Sequence, residues 1–285
     1  MYKLIDGKAH SHALRGEIKM RAAQFKEIFG KDIGLAVILV GSNPASQVYV
    51  RNKIKGCEEV GIKSFAYYLP EEATQSQVEE LVKELVENPA IHGILVQLPL
   101  PAHLNSEKIL KLIPKEKDVD GFCEENIGNL CMNRDCLIAC TPNGVMKMLE
   151  REGIETKGKS AVVIGRSNIV GKPMAMLLLN SDATVTVCHS KTANLKEICA
   201  RADILVAAIG RAKFVKADMV KQGAVVIDVG MNRDENGKLC GDVDFEEVKD
   251  KCSYITPVPG GVGPMTITML LYNTVTAAKR SLKSD

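Results

Sequence analysis

Short apolar runs alternate with amphipathic stretches along most of the chain. In the first half the apolar runs are "LAVILVG" (35–41), "KSFAYYL" (63–69) and "HGILVQLPL" (92–100). They read as strands, the first buried on both faces. Between them, "SNPASQVYVRNKIKGCEEVG" (42–61) and "TQSQVEELVKELVENP" (74–89) carry helical spacing, and "NSEKILKLIP" (105–114) continues it. Asn43 fits an N-cap, Pro44 the first helical position and Gly61 a C-terminal stop. Thr74 with Gln77 predicts a capping box.

The stretch from Lys115 to Gly144 loses this rhythm and reads as loops between domains. The alternation then resumes. Strands are predicted at "SAVVIG" (160–165), "ATVTVCH" (183–189), "DILVAAIG" (203–210) and "AVVIDVG" (224–230). Helices are predicted at "GKPMAMLLLNS", "NLKEICARA" and "ADMVKQG", with a long apolar helix at "ITMLLYNTVTAAKRSL" (267–282). Alternating strands and helices imply an α/β fold with parallel sheets flanked by helices.

Composition narrows the class. A length of 285 residues suits one large domain or two modest ones. A net charge of only +2 gives no electrostatic footprint for nucleic acid. No apolar run approaches the roughly 20 residues of a membrane span, and "MYKLIDGKAH" is neither a signal nor a transit peptide. Nine scattered cysteines fit reduced thiols of a cytoplasmic protein better than a disulfide framework. "CMNRDCLIAC" (131–140) lacks the paired spacing and the histidine of a zinc site, so no metal is expected.

Candidate chemistry begins at "VVIGRSNIVGKPMAMLL" (162–178), a strand, a glycine-containing turn and a helix. Gly165 ends the strand and Gly171 opens the helix, with Arg166 and Ser167 between them. This is the layout in which a helix N-terminus receives a pyrophosphate, although it is not G-x-G-x-x-G. An ordinary strand-to-helix turn has the same pattern. NAD-binding folds usually place a carboxylate at the end of the next strand, for the ribose. Here "VCHSKT" (187–192) offers Ser190 and Lys191 instead, and Arg166 is within reach. A 2′-phosphate suits those groups, so the expected cofactor is NADP. Gly210 and Gly230 end two further strands at the same sheet edge, as cofactor-lining turns or as simple tight turns.

Tyr49 and Lys53 share the spacing of a short-chain dehydrogenase catalytic pair. In that class the nucleotide turn comes first, whereas here it comes more than a hundred residues later, at Gly165. Ser46, Tyr49 and Lys53 recur at i, i+3 and i+7 and share one helix face. An isolated pair of this kind is also what a half-buried boundary face looks like. Gln97, a polar residue at the end of an apolar strand, and the acidic loop "KDVDGF" (117–122) are candidate partners.

Seven segments, in order, resemble the bifunctional methylenetetrahydrofolate dehydrogenase/methenyltetrahydrofolate cyclohydrolase family. They are "VGSNPASQVYVRNKIKGCEEVGI", "VQLPLP", "KDVDGF", "CTPNGV", "GRSNIVGKP", "CHSKT" and "TPVPGGVGPMT", spanning Val40 to Thr266. Two positions depart from the family pattern. Ala139 stands where proline is usual, and Cys123 where histidine is common.

The resemblance implies two domains joined across a cleft. Residues 1–138 plus 267–285 would form an α/β folate-binding catalytic domain, and 139–266 a Rossmann-like NADP-binding domain. It implies a homodimer, oxidation of 5,10-methylenetetrahydrofolate to the methenyl cation, and hydrolysis to 10-formyltetrahydrofolate. Lys53 would move the protons of the hydrolysis, helped to lose its own by desolvation and by the substrate cation. Gln97 would hydrogen-bond Lys53 or the substrate. Tyr49 would stack on the folate rings. Asp120 would accept hydrogen bonds from the pterin, and Ser46 would support the site. Pro259 and Gly260, in "TPVPGGVGPMT", would bring backbone against the reacting groups. Thr266 is open between capping the last helix and contacting cofactor.

Overall fold

A computed structural model describes residues 2–282. The chain forms two compact units, Ala13–Cys140 with Ile267–Asp285, and Met1–His12 with Thr141–Thr266.

The first of these is built on a three-stranded parallel sheet in the order Lys63–Leu69, Gly34–Val40, Gly93–Val96. Gly34–Val40 is buried along its whole length, as its unbroken apolar run requires. Helix Pro44–Val60 follows it. The Asn43 side chain accepts the Ser46 N–H at 3.1 Å, and Gly61, at φ +78°, ends the helix in the left-handed region. Helix Gln75–Glu87 carries the capping box of Thr74 and Gln77. Gly56 brings Pro44–Val60 close to the last helix: a Cβ there would lie 3.3 Å from Leu271 and 3.4 Å from Ile267.

The other unit holds a six-stranded parallel sheet. Its order is Lys3–Leu4, Cys252–Ile255, Ala224–Asp228, Ile204–Ala207, Ser160–Ile164, Thr184–Cys188. The strands carry the register of a doubly wound sheet, and their buried faces form one apolar core with Cys188, Cys199, Val215 and Met219.

Five elements differ from the sequence reading. Lys3–Leu4 pairs with Cys252–Ile255, so residues 1–12 group with 141–266 and not with the unit expected from 1–138. A two-residue pairing across 251 positions leaves no local pattern. Gly7–Phe29, to which the pattern assigns no element, is a helix that buries Leu14, Ile18, Ala22 and Phe25 along one face. "CTPNG" is not a loop: it opens the helix Cys140–Arg151. "ADMVKQG" forms only a short 3-10 turn, Ala217–Met219. The last helix begins at Val262, ahead of the expected start, which places Thr266 inside it rather than at its cap.

Candidate active site and nucleotide turn

Helix Pro44–Val60 carries Ser46, Tyr49 and Lys53. Ser46 is buried, Lys53 half-buried, and Tyr49 41% exposed, so the face grades from core to solvent. Strand Gly93–Val96 delivers Gln97, whose N–H donates to the Ile38 carbonyl at 2.9 Å. Lys53 Nζ donates to Gln97 Oε1 at 3.0 Å. Gln97 Nε2 donates to the Leu98 carbonyl at 2.6 Å. The amide is thereby oriented, with its nitrogen committed to backbone and its oxygen turned to the lysine. A hollow of about 460 Å³ lies next along the chain, lined by Leu98, Pro99, Leu104 and Ser106. Neither Lys53 nor Asp120 lines it.

The two aspartates of "KDVDGF" are not equivalent. Asp118 is buried and accepts the Gly121 N–H (3.2 Å), the Cys123 N–H (2.8 Å) and Asn126 Nδ2 (3.0 Å). Its oxygens are spent on closing the loop. Gly121 is required there: φ is +72°, and a Cβ would lie 2.4 Å from the Ala139 nitrogen. Asp120 is half-buried, and no hydrogen bond to its carboxylate forms among the described residues. Desolvation pushes it up to about 6, opposed by the charge of nearby Lys53 and reinforced by Asp118. Lys53, Gln97 and Asp120 thus meet within one unit.

Sequence reasoning missed the groups that hold this arrangement. Asn273, on the last helix, donates to the carbonyls of Val119, next to Asp120, and of Ile138, which packs against Gly121, both at 2.8 Å. A lone amide in the apolar run "MLLYNTVTAA" was the available signal. Cys140 is buried beside Asp120 and Lys53, and burial pushes its thiol well up, so it stays neutral. Cys123 takes the N-cap of helix Glu124–Cys131, its sulfur accepting the Asn126 N–H at 3.4 Å.

In the other unit, strand Ser160–Ile164 ends at Gly165 and helix Gly171–Asn180 begins six residues later. Gly165 has φ +130°, and a Cβ would lie 2.2 Å from the Ala208 carbonyl oxygen. A Cβ on Gly171 would lie 2.3 Å from the Gly165 oxygen. Only glycines allow this close turn. Ser167 Oγ accepts the N–H groups of Val170 and Gly171 (3.2 and 3.3 Å). Arg166 and Ser190 are both exposed near the carboxyl ends of neighbouring strands. Gly210 is exposed at φ +65°. Gly230 is buried, and the space a side chain would take belongs to Asp242, whose Cγ would be 2.4 Å away. Gly260 has φ +107°, and its carbonyl accepts the Lys8 N–H at 3.1 Å, which pins the loop containing Pro259. Thr266 shares a 2.9 Å hydroxyl contact with Thr141. Among the described residues no group of three or more His, Cys, Asp or Glu is placed to hold a metal ion.

The fold and these sites define a two-unit α/β enzyme with a glycine-lined strand-to-helix turn in one unit and a lysine–amide–carboxylate cluster in the other. The chain belongs to the tetrahydrofolate dehydrogenase/cyclohydrolase family. Residues 5–120 match that family's catalytic domain, and residues 139–282 its NAD(P)-binding domain. It is 59% identical to the bifunctional protein FolD of Campylobacter concisus, over 99% of this chain and all of that protein. It is similar to the crystal structure of the bifunctional FolD methylenetetrahydrofolate dehydrogenase/cyclohydrolase of Campylobacter jejuni. That match has a TM-score of 0.96 at 52% identity, covering 99% of this chain and 100% of that one. The FolD of Trypanosoma brucei, solved with NADP cofactor and an inhibitor, matches with a TM-score of 0.94 at 41% identity, over 99% of both chains.

Proposed function

We infer that this protein oxidises 5,10-methylenetetrahydrofolate to the 5,10-methenyl cation with NADP⁺, and then hydrolyses the cation to 10-formyltetrahydrofolate. The observation that carries the reading is the 3.0 Å contact between Lys53 and an oriented Gln97, beside a carboxylate with free acceptor capacity.

The nucleotide turn fits the cofactor. Glycines at 165 and 171 clear a cradle that any Cβ would fill, and the positive end of the helix dipole at Gly171 favours a phosphate. Gly165, Arg166, Ser167, Gly171, Ser190 and the turn at Gly210 would hold it, with Arg166 and Ser190 meeting a 2′-phosphate. When bound, NADP⁺ accepts the hydride. The substrate's own nitrogen lone pairs stabilise the cation left behind, so the protein's task in that step is positioning. Tyr49 supplies an exposed aromatic face for the flat folate, and Asp120 accepts hydrogen bonds from the pterin amino and ring N–H groups. Pro259 and Gly260 offer backbone to the reacting groups, and Ser46 supports the helix face from its buried side.

Hydrolysis needs a proton carrier. Lys53 takes a proton from the water that attacks the methenyl carbon, and returns one to the ring nitrogen that departs. Gln97 does not titrate. Its oxygen holds the lysine nitrogen, and its own nitrogen is anchored on Leu98, so the orientation persists while the proton moves.

The residue roles, the division of folate and NADP between the units, and the assembly belong to the same proposal. A homodimer is supported by the outermost strand, Thr184–Cys188, which leaves Val187 39% exposed, and by the preceding helix, which leaves Leu179 52% exposed. The near-neutral charge argues against a nucleic-acid partner. Nine free cysteines support a reducing, cytoplasmic setting. No described helix is long and apolar enough to cross a membrane.

Absorbance at the NADPH and methenyl bands tests the reading in one cuvette. The wild type should reduce NADP⁺ and clear the methenyl band. Lys53→Met should lower methenyl hydrolysis by about 10²–10⁴. Full hydrolysis by that variant would remove Lys53 from the proton-carrying role.

A further inference from the structure

Asp242 is 0% exposed and lies outside every motif discussed above. Its Oδ2 accepts the N–H of Ile209 (2.7 Å) and of Gly210 (3.1 Å). Its Oδ1 accepts the N–H of Arg211 (2.8 Å) and Asn232 Nδ2 (2.9 Å). Three consecutive backbone N–H groups therefore converge on one internal carboxylate. Such a concave run of donors is a ready anion site, and here the protein fills it itself. The left-handed φ of +65° at Gly210 is what turns the donors inward.

The same residue ties in the neighbouring turn. The Asp242 N–H donates to Asp228 Oδ1 at 2.9 Å, and that oxygen also accepts the Gly230 N–H at 2.9 Å. Asp228 Oδ2 takes the Val243 N–H at 2.9 Å. Glycines make room for both acids: a Cβ on Gly230 would meet Asp242, and one on Gly241 would lie 1.8 Å from Asp228 Oδ2. So the turns that end strands Ile204–Ala207 and Ala224–Asp228, at the carboxyl edge of the sheet, hang on one buried pair.

We propose that Asp242 is a positioning residue for the cofactor: it sets the shape of the 209–211 and 228–232 turns against the dinucleotide without touching it. This rests on the reading that those turns face NADP. Every side-chain contact of Asp242 is with a donor, so an amide is not an equivalent. Whichever way an asparagine sat, its NH₂ would oppose two N–H groups. The turn would splay, and cofactor affinity would fall. The folate cluster, built from the other unit's residues, would be spared.

The test compares Asp242→Asn, Asn232→Ala and Gly210→Val with the wild type. Three quantities are read: the NADP⁺ KM and kcat of the dehydrogenase, NADP⁺ affinity by titration calorimetry, and cofactor-free hydrolysis of methenyltetrahydrofolate. For Asp242→Asn the NADP⁺ KM and Kd should rise about tenfold or more, with hydrolysis within about twofold of wild type. Asn232→Ala removes one of the four contacts and should raise both constants about two- to fivefold. If Asp242→Asn yields no folded protein, Asn232→Ala decides in the same way. Unchanged NADP⁺ constants, or equal losses in both activities at unchanged KM, would overturn the proposal. Gly210→Val separates the underlying reading. A normal NADP⁺ KM in that variant means the turn does not face cofactor at all. A raised KM there, with a normal one in Asp242→Asn and Asn232→Ala, defeats only the positioning role.

Discussion

Each unit of this protein holds a pair of aspartates close together, and the pairs are used in opposite ways. In the nucleotide unit both Asp228 and Asp242 are buried, and backbone N–H groups occupy the oxygens of each. Burial and the neighbouring acid push Asp228 up to about 7, despite three backbone donors that pull the other way. In the catalytic unit the work is divided. Asp118 takes three donors and closes its loop, while Asp120, two residues on, keeps its acceptor capacity. A carboxylate whose lone pairs are spent on N–H groups builds the scaffold. One left half-buried with no such donor keeps the capacity to accept from a ligand.

The largest effect that would break this contrast is on stability. Asp118→Ala orphans the Cys123 N–H and takes one of two acceptors from the Gly121 N–H and from Asn126 Nδ2, and should cost about 2–4 kcal/mol, read from urea unfolding. An unaltered midpoint would show that Asp118 is not the loop's anchor. Asp120→Ala should do the reverse. Unfolding at pH ~4, where the carboxyl is largely neutral, should stay near wild type, while folate affinity at pH ~8 falls about 10- to 100-fold in a fluorescence titration. Unchanged affinity would take the pterin role from Asp120.

Asp120→Asn sharpens the point through pH. The folded carboxyl titrates near 6, above the unfolded value of 3.8. Its contribution to stability is therefore present below the unfolded value and lost as pH rises through about 6. At pH ~8 the neutral amide should be more stable than wild type by about 1–3 kcal/mol. At pH ~4 the difference should vanish, as thermal melts would report. The smallest effect is Asn43→Ala, which removes the cap of the helix carrying Lys53 and should cost about 1 kcal/mol, with folate affinity preserved in the folded fraction.

Local features were legible from sequence. Asn43, Pro44 and Gly61 bound their helix because each acts within four residues of itself. The shared face of Ser46, Tyr49 and Lys53 follows from helix geometry alone. Distant partnerships were not legible. Asn273 reaches Val119 across 154 positions, and Asp242 reaches Arg211 across 31. Nothing near either residue announces those contacts. "CTPNG" misled for a specific reason: proline, asparagine and glycine together spell a turn. Here Pro142 falls in the first helical turn, where its missing N–H costs nothing. Gly144 serves close packing instead: a Cβ there would lie 2.9 Å from the Met265 side chain.

The central claim is that Asp120 alone of the four acids is held open for the substrate. Its most direct test is the pH dependence of folate binding between pH ~5 and ~8, in wild type and Asp120→Asn. A pterin that donates hydrogen bonds needs the carboxylate form. Wild-type affinity should therefore be flat above about 6 and weaken as the pH falls below it. The Asp120→Asn variant should bind more weakly at pH ~8 and show no such fall. A wild-type profile without the break, or the same break in the variant, would contradict the account.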